Sequence, residues 1–127
     1  MSDAPAPAAR LSFEAKDETV RVVLGGETIA ESAHTVVLHE TGHAPMRYFP
    51  RGDVLMDRFR RTDHATHCPY KGDAAYWTIE AGGRVAENAA WSYEDPIPEA
   101  IALKDLIAFY SDRVDAIETP AESDPDV

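Results

Sequence analysis

The single cysteine, Cys68, follows His67 and opens a Cys68-Pro69-Tyr70-Lys71-Gly72 run. A thiol with an ammonium and an imidazole close by gains thiolate character, and the thiolate is the nucleophilic and metal-binding form. Cys68 is therefore the candidate catalytic residue. The competing reading is a small buried hydrophobe that lines a core or a pocket, because free cysteine is often buried and no base partner is set by the spacing. His64, His67 and Cys68 also bring metal-ligand atoms together, yet a tetrahedral structural zinc needs about four ligands. The other histidines are His34, His39 and His43. Ordinary surface histidines account for the set, and no metal site is expected.

Two further groups bear on ligand binding. Six of the twelve basic residues (Arg47, Arg51, Arg58, Arg60, Arg61 and Lys71) fall in one stretch, against Asp53, Asp57 and Asp63. Gathered on one face, such an island draws in a small anion; spread over the surface, it pairs with the acidic remainder. Tyr48, Tyr70, Tyr76, Trp77, Trp91 and Tyr93 cluster around the same motifs. Aromatic rings with polar tips line small-ligand pockets, and they also fill β cores. Tyr76 and Trp77 are strand neighbours and must face opposite sides. Tyr76 and Trp91 are expected inside, with Tyr48, Lys71 and Tyr93 at a pocket rim.

The elements that position these groups are mostly strands. Thr19 to Leu24, the Gly25-Gly26 pair and Glu27 to Glu31 read as a hairpin. Thr35 to Glu40 and Met46 to Phe49 read as two more strands. A second hairpin runs from Ala74 to Glu80, through Gly82-Gly83, to Arg84 to Tyr93, with Val85, Glu87, Ala89, Trp91 and Tyr93 on one face of its latter arm. Asp53 to Phe59 suggests one or two helical turns with Asp53 as N-cap. Glu99 to Tyr110, with Leu103, Ile107 and Tyr110 at helical spacing, predicts a short packed helix, and Val114 to Ile117 a last edge strand.

At 127 residues and 44% apolar content the chain suits one domain with a real core. Residues 11–118 are expected to form a single mainly β domain, while 1–10, rich in Ala and Pro, and 119–127, acidic, are expected to be disordered. The net charge is −11, and without the four acids of the last ten residues 19 acids still face 12 bases. Nonspecific phosphate-backbone binding is thereby disfavoured, so nucleic acid is not an expected partner. No apolar run approaches the roughly 20 residues that span a bilayer. One cysteine cannot form an internal disulfide, and the N-terminus lacks a basic-then-apolar leader, so a cytoplasmic location without membrane contact is expected.

Four separated motifs, Tyr48-Phe49-Pro50-x-x-Asp53-Val54, Cys68-Pro69-Tyr70-Lys71-Gly72 with Tyr76 following, Ala90-Trp91-Ser92-Tyr93 and Ala108-Phe109-Tyr110, resemble the domain of unknown function family 427. The resemblance spans nearly all of the folded region. It implies a small, compact, mostly β fold of bacterial and fungal distribution, and it carries no established activity, cofactor or site residue. A nucleotidyltransferase-like label attached to that family asks for a Gly-Ser phosphate grip followed by alternating metal-binding carboxylates, and the sequence has neither. Its glycine pairs suit hairpins, not a Walker-type or Gly-x-Gly-x-x-Gly loop.

The expected architecture is a compact small barrel or two packed antiparallel sheets with one or two short helices. The expected role is binding of a small anionic molecule in a pocket walled by Tyr48, Tyr70, Trp91 and Tyr93. Lys71 and an arginine such as Arg61 would hold the anion, and Cys68 would line the floor or, if catalytic, attack an electrophilic ligand. The alternative is a noncatalytic protein-interaction module in which the unusual motifs hold tight turns. Ligand identity, any cofactor and the oligomeric state are not legible in the residues.

Overall fold

The computed structural model describes residues 10–119. Except for Arg10 and Thr119, both ends expected to be disordered lie outside the described residues. The described chain is mainly β and forms ten strands: β1 (Leu11–Ala15), β2 (Val20–Leu24), β3 (Glu27–Ser32), β4 (Val36–Glu40), β5 (Met46–Tyr48), β6 (Phe59–Cys68), β7 (Gly72–Ala81), β8 (Arg84–Ser92), β9 (Ala108–Phe109) and β10 (Ala116–Glu118). They make three antiparallel sheets, ordered β1-β4-β5, β10-β2-β3 and β6-β7-β8-β9. The mainly β, packed-sheet reading holds, with three antiparallel sheets in place of two and no closed barrel among the described residues. Single-residue bridges Ala30 to Val54 and Phe49 to Ile107 tie neighbouring segments together where the sheets meet. Among the described residues no helix is long and apolar enough to cross a membrane.

Both predicted hairpins form. In β2, Val20, Val22 and Leu24 alternate inward and are buried, as period-2 apolar spacing requires. Gly25 and Gly26 (φ +62° and +80°) and Gly82 and Gly83 (φ +56° and +79°) give each hairpin the two consecutive positive φ values of a type I′ turn. The two turns pack backbone to backbone. A Cβ on Gly25 would lie 2.2 Å from the Ala81 carbonyl oxygen, and one on Gly82 would lie 1.8 Å from that of Gly25. Asp115 ties the pair together: its carboxylate accepts the Gly25 N–H at 2.7 Å and meets the Arg84 guanidinium at 3.3 Å.

β7 has core on both faces. Ala74 and Tyr76 enter one apolar cluster, with Leu38, Tyr48, Trp91, Tyr93 and Leu103. Trp77, Ile79 and Ala81 enter the other, with Val20, Val22, Ile29, Phe49 and Phe109. The opposed directions of Tyr76 and Trp77 follow from the strand period.

Four local expectations differ. The single face expected for Val85, Glu87, Ala89, Trp91 and Tyr93 of β8 breaks at Asn88, whose φ of +49° accompanies a slip in the β7–β8 register; Val85 is left 65% exposed, whereas Ala89 to Tyr93 are buried. Such a bulge inserts a residue that alternation cannot foresee. The helix over Glu99 to Tyr110 is a 3₁₀ segment, Pro98–Leu103, followed by β9. Asp105 takes φ +63°, and Phe49 and Ile107 exchange two backbone hydrogen bonds of 2.7 and 2.8 Å, which a helix there would forfeit. Asp53 ends a 3₁₀ turn, Arg51–Asp53, instead of capping a helix; its carboxylate accepts from the buried Ser32 hydroxyl at 2.6 Å. β1 and β6 are not among the expected strands: β6 carries no apolar alternation, and β1, whose Leu11, Phe13 and Ala15 do alternate, is a short run; each is a sheet edge with much of its surface exposed.

Gly82→Ala and Gly25→Ala should each cost about 3 kcal/mol or more, from the left-handed backbone plus the overlap with a carbonyl. Gly26→Ala and Gly83→Ala, which meet nothing within 4 Å, should cost only about 1–2 kcal/mol. Urea unfolding of the four variants checks this, and equal losses would show that the turn contact contributes nothing.

Candidate functional site

Gly72 (φ +125°) opens β7 with its Cα close against the chain at Pro96, where an added Cβ would come within 3.2 Å. Together with Lys71 N–H donating to the Cys68 carbonyl at 3.1 Å, and Ile97 N–H donating to the Lys71 carbonyl at 3.0 Å, this fixes the turn. The turn delivers Lys71 inward. Its Nζ meets Glu40 Oε1 at 2.7 Å, with the two side chains only 11% and 9% exposed. Glu40 comes from the end of β4, on the same strand face as Leu38. Its second oxygen, Oε2, has Arg10 Nη2 and His43 Nε2 each at 3.9 Å.

This pair lies in the wall of a cavity of about 320 Å³. Leu38 and Met46 contribute apolar surface, and His43 and Ala44 come from the β4–β5 turn. Tyr48, Tyr76, Trp91, Tyr93 and Tyr110 supply five aromatic walls. The rings brace one another: Trp91 lies 4.5 Å from Tyr110 and meets Tyr48 edge-on at 6.3 Å. A hydroxyl chain runs from Thr66 Oγ1 to Tyr76 (3.0 Å) and on to Tyr110 (3.3 Å).

Burial dominates the acid–base behaviour of these phenols. It raises the pKa of Tyr48 well above the ordinary phenol value, opposed by the Trp91 indole and reinforced by the Glu40 charge. It does the same to Tyr93, with Tyr48 next in effect. Tyr110 is pushed up to about 12, first by burial and then by its hydrogen bond with Tyr76.

Four of the sequence-derived site residues, Tyr48, Lys71, Trp91 and Tyr93, thus border one cavity, and Tyr48, Lys71 and Tyr93 are more deeply buried than a rim position implies. Arg61, Cys68 and Tyr70 do not line it. Arg61 forms a forked pair with Glu94 (3.0 and 2.8 Å), which raises its own pKa and lowers that of Glu94. Tyr70, 45% exposed, lies under the Arg10 guanidinium at 3.6 Å. Cys68 is half-buried, and its expected activators are engaged elsewhere, Lys71 by Glu40 and His67 by Asp73 at 2.7 Å.

The basic island resolves into ion pairs. Arg47 meets Glu18, Arg51 and Arg61 meet Glu94, Arg58 meets Glu27 and Arg60 meets Glu80. Arg51 and Arg61 also lie 5.2 and 5.3 Å from the ring of Trp77. Among the described residues no three His, Cys, Asp or Glu side chains converge in a way that would hold a metal ion.

Sequence reasoning missed Leu38, Glu40, His43, Ala44, Met46 and Tyr110 as lining residues and expected Tyr76 only as an inward-facing ring. Glu40 had one usable signal, a charge two residues after Leu38 on a strand with an apolar face, where a carboxylate needs a partner. Nothing in the chain names Lys71, 31 residues away, as that partner.

Because the folded pKa values of Tyr48, Tyr93 and Tyr110 exceed the unfolded value near 10, their contribution to stability is complete below pH 10 and is lost as pH rises above it. In an alkaline titration followed by phenolate absorbance, these three should ionise later in the native protein than in the urea-unfolded chain. Coincident native and unfolded titrations of all five tyrosines would contradict the burial argument.

Comparison with known proteins adds a family and no activity. No curated protein matches the chain. The family model described as a domain of unknown function, DUF427, matches residues 12–120, a span that takes in every strand except the first residue of β1 and all of the cavity's lining. The chain therefore belongs to the DUF427 family.

Proposed function

We propose that this domain binds a small molecule in the aromatic cavity, and that the Cys68–Gly72 turn serves the site by placing Lys71 in its wall. The observation that carries this reading is the buried Glu40–Lys71 pair. Desolvating two charges is expensive, and replacing a buried ion pair by apolar groups of similar volume is often neutral or stabilising, by about 1–4 kcal/mol. Stability alone gives no reason for such a pair at the wall of an open, ring-lined space. A binding site does, because a few placed polar groups among aromatic walls orient a ligand.

The size of the cavity limits the ligand. Its volume of about 320 Å³ lies at the small end of ligand pockets, which run from about 300 to 1,000 Å³. That suits a compact metabolite better than a nucleotide. The expected anion grip changes accordingly: Arg61 is committed to Glu94, and Lys71 meets a ligand only in company with Glu40. Nothing in the geometry arms Cys68 as a nucleophile, so the reading is binding without a covalent step at that thiol.

The test is a thermal-shift screen of small metabolites against the wild type, Glu40→Gln/Lys71→Met and Lys71→Ala. A ligand at 100 times its Kd adds about 2.7 kcal/mol, or roughly 10 °C in Tm for a domain of this size. The double variant should keep or raise the basal Tm and lose the ligand shift. Lys71→Ala should lose stability, by less than the about 3–5 kcal/mol of a fully stranded buried charge, because Arg10 and His43 remain 3.9 Å from the Glu40 carboxylate. A panel in which no metabolite moves the wild-type Tm would remove the binding reading.

A further inference from the structure

We infer that the ligand of this cavity is dipolar: a small zwitterion whose cationic group meets Glu40 and the aromatic rings, and whose anionic group meets Lys71. This rests on the binding reading above and adds the chemical class.

Charge balance at the ion pair selects the ligand. Glu40 and Lys71 neutralise each other at 2.7 Å with both side chains nearly buried. An anion alone can reach Lys71 only by opening that pair and stranding Glu40, and a cation alone, held at Glu40 Oε2, draws the carboxylate from Lys71 with nothing to replace it. Removing one partner of a buried pair is the costly case, whereas completing both is not. A zwitterion exchanges one ion pair for two, so neither protein charge is left alone. The rest of the site fits the two ends unequally. Glu40 Oε2 has its nearest basic groups, Arg10 and His43, at 3.9 Å, outside normal hydrogen-bond range. That leaves room for a cationic group, with or without N–H donors, to approach.

Tyr48, Trp91, Tyr93 and Tyr110 stand around the same space, and aromatic rings attract a desolvated cation through their quadrupoles. The net charge of −11 reinforces the cationic end and opposes a ligand that is only anionic. The anionic end then depends on Lys71, the one Lys or Arg side chain in the cavity's lining among the described residues.

Four probes of nearly one shape separate the possibilities: trimethylglycine, its carboxamide (cation only), 3,3-dimethylbutanoate (anion only) and 3,3-dimethylbutanamide (neutral). Affinities are measured by calorimetry on the full chain, with the wild type and Glu40→Gln/Lys71→Met. Trimethylglycine should bind the wild type more than about tenfold tighter than any of the other three. The double variant should lose that preference, with the neutral probe no worse than the zwitterion. If either singly charged probe or the neutral one matches trimethylglycine on the wild type, the dipolar inference is overturned while the cavity stands as a binding site. If none of the four binds, the inference is also overturned, and the metabolite screen decides the binding reading separately.

Discussion

The constraint from which the rest follows is that β7 has core on both of its faces. A strand so placed cannot leave either face to water, and each face needs its own apolar cover. On the side of Trp77 and Ile79 that cover comes from β2, β3 and the segment around Phe49 and Phe109. On the side of Tyr76 it comes from β4, β5, the end of β8 and the 3₁₀ segment at Pro98–Leu103. The three sheets are short, and they reach a common core by converging on this strand. The close Gly25–Gly82 turn contact follows from the same convergence, since two hairpins laid against one core bring their tips together.

The two clusters are not equivalent. The Trp77 side is filled by aliphatic residues and phenylalanines, which interdigitate without polar demands. The Tyr76 side is built from tyrosines and a tryptophan, whose polar tips need partners and whose rings leave space between them. The cavity lies there, and so does the Glu40–Lys71 pair.

The electrostatic pattern sharpens this contrast. The acidic excess on the surface takes up the arginines singly or in small networks, such as Arg51 and Arg61 about Glu94 beside Trp77. Exposed pairs of that kind hold geometry more than they add stability. Lys71 differs from them through burial alone, because the turn at Gly72 carries its side chain beneath the surface before it meets a carboxylate.

By itself the sequence determined the period-2 apolar run of β2, the continuous apolar run that opens β4, the two glycine-pair hairpins and the opposed faces of Tyr76 and Trp77, because these depend on neighbours along the chain. It also determined that Tyr48, Lys71, Trp91 and Tyr93 belong among the notable residues, since their types are costly or unusual to bury. Only the tertiary structure decided the rest. β6 is a strand because β7 pairs with it, Ile107 leaves the helical pattern because Phe49 offers backbone hydrogen bonds, and Asn88 slips the register of β8. Lys71 faces Glu40 instead of an incoming anion or the Cys68 thiol, and Arg61 is claimed by Glu94. Each of these outcomes is a competition between partners distant in sequence, and it is settled by which of them the converging sheets bring within bonding distance.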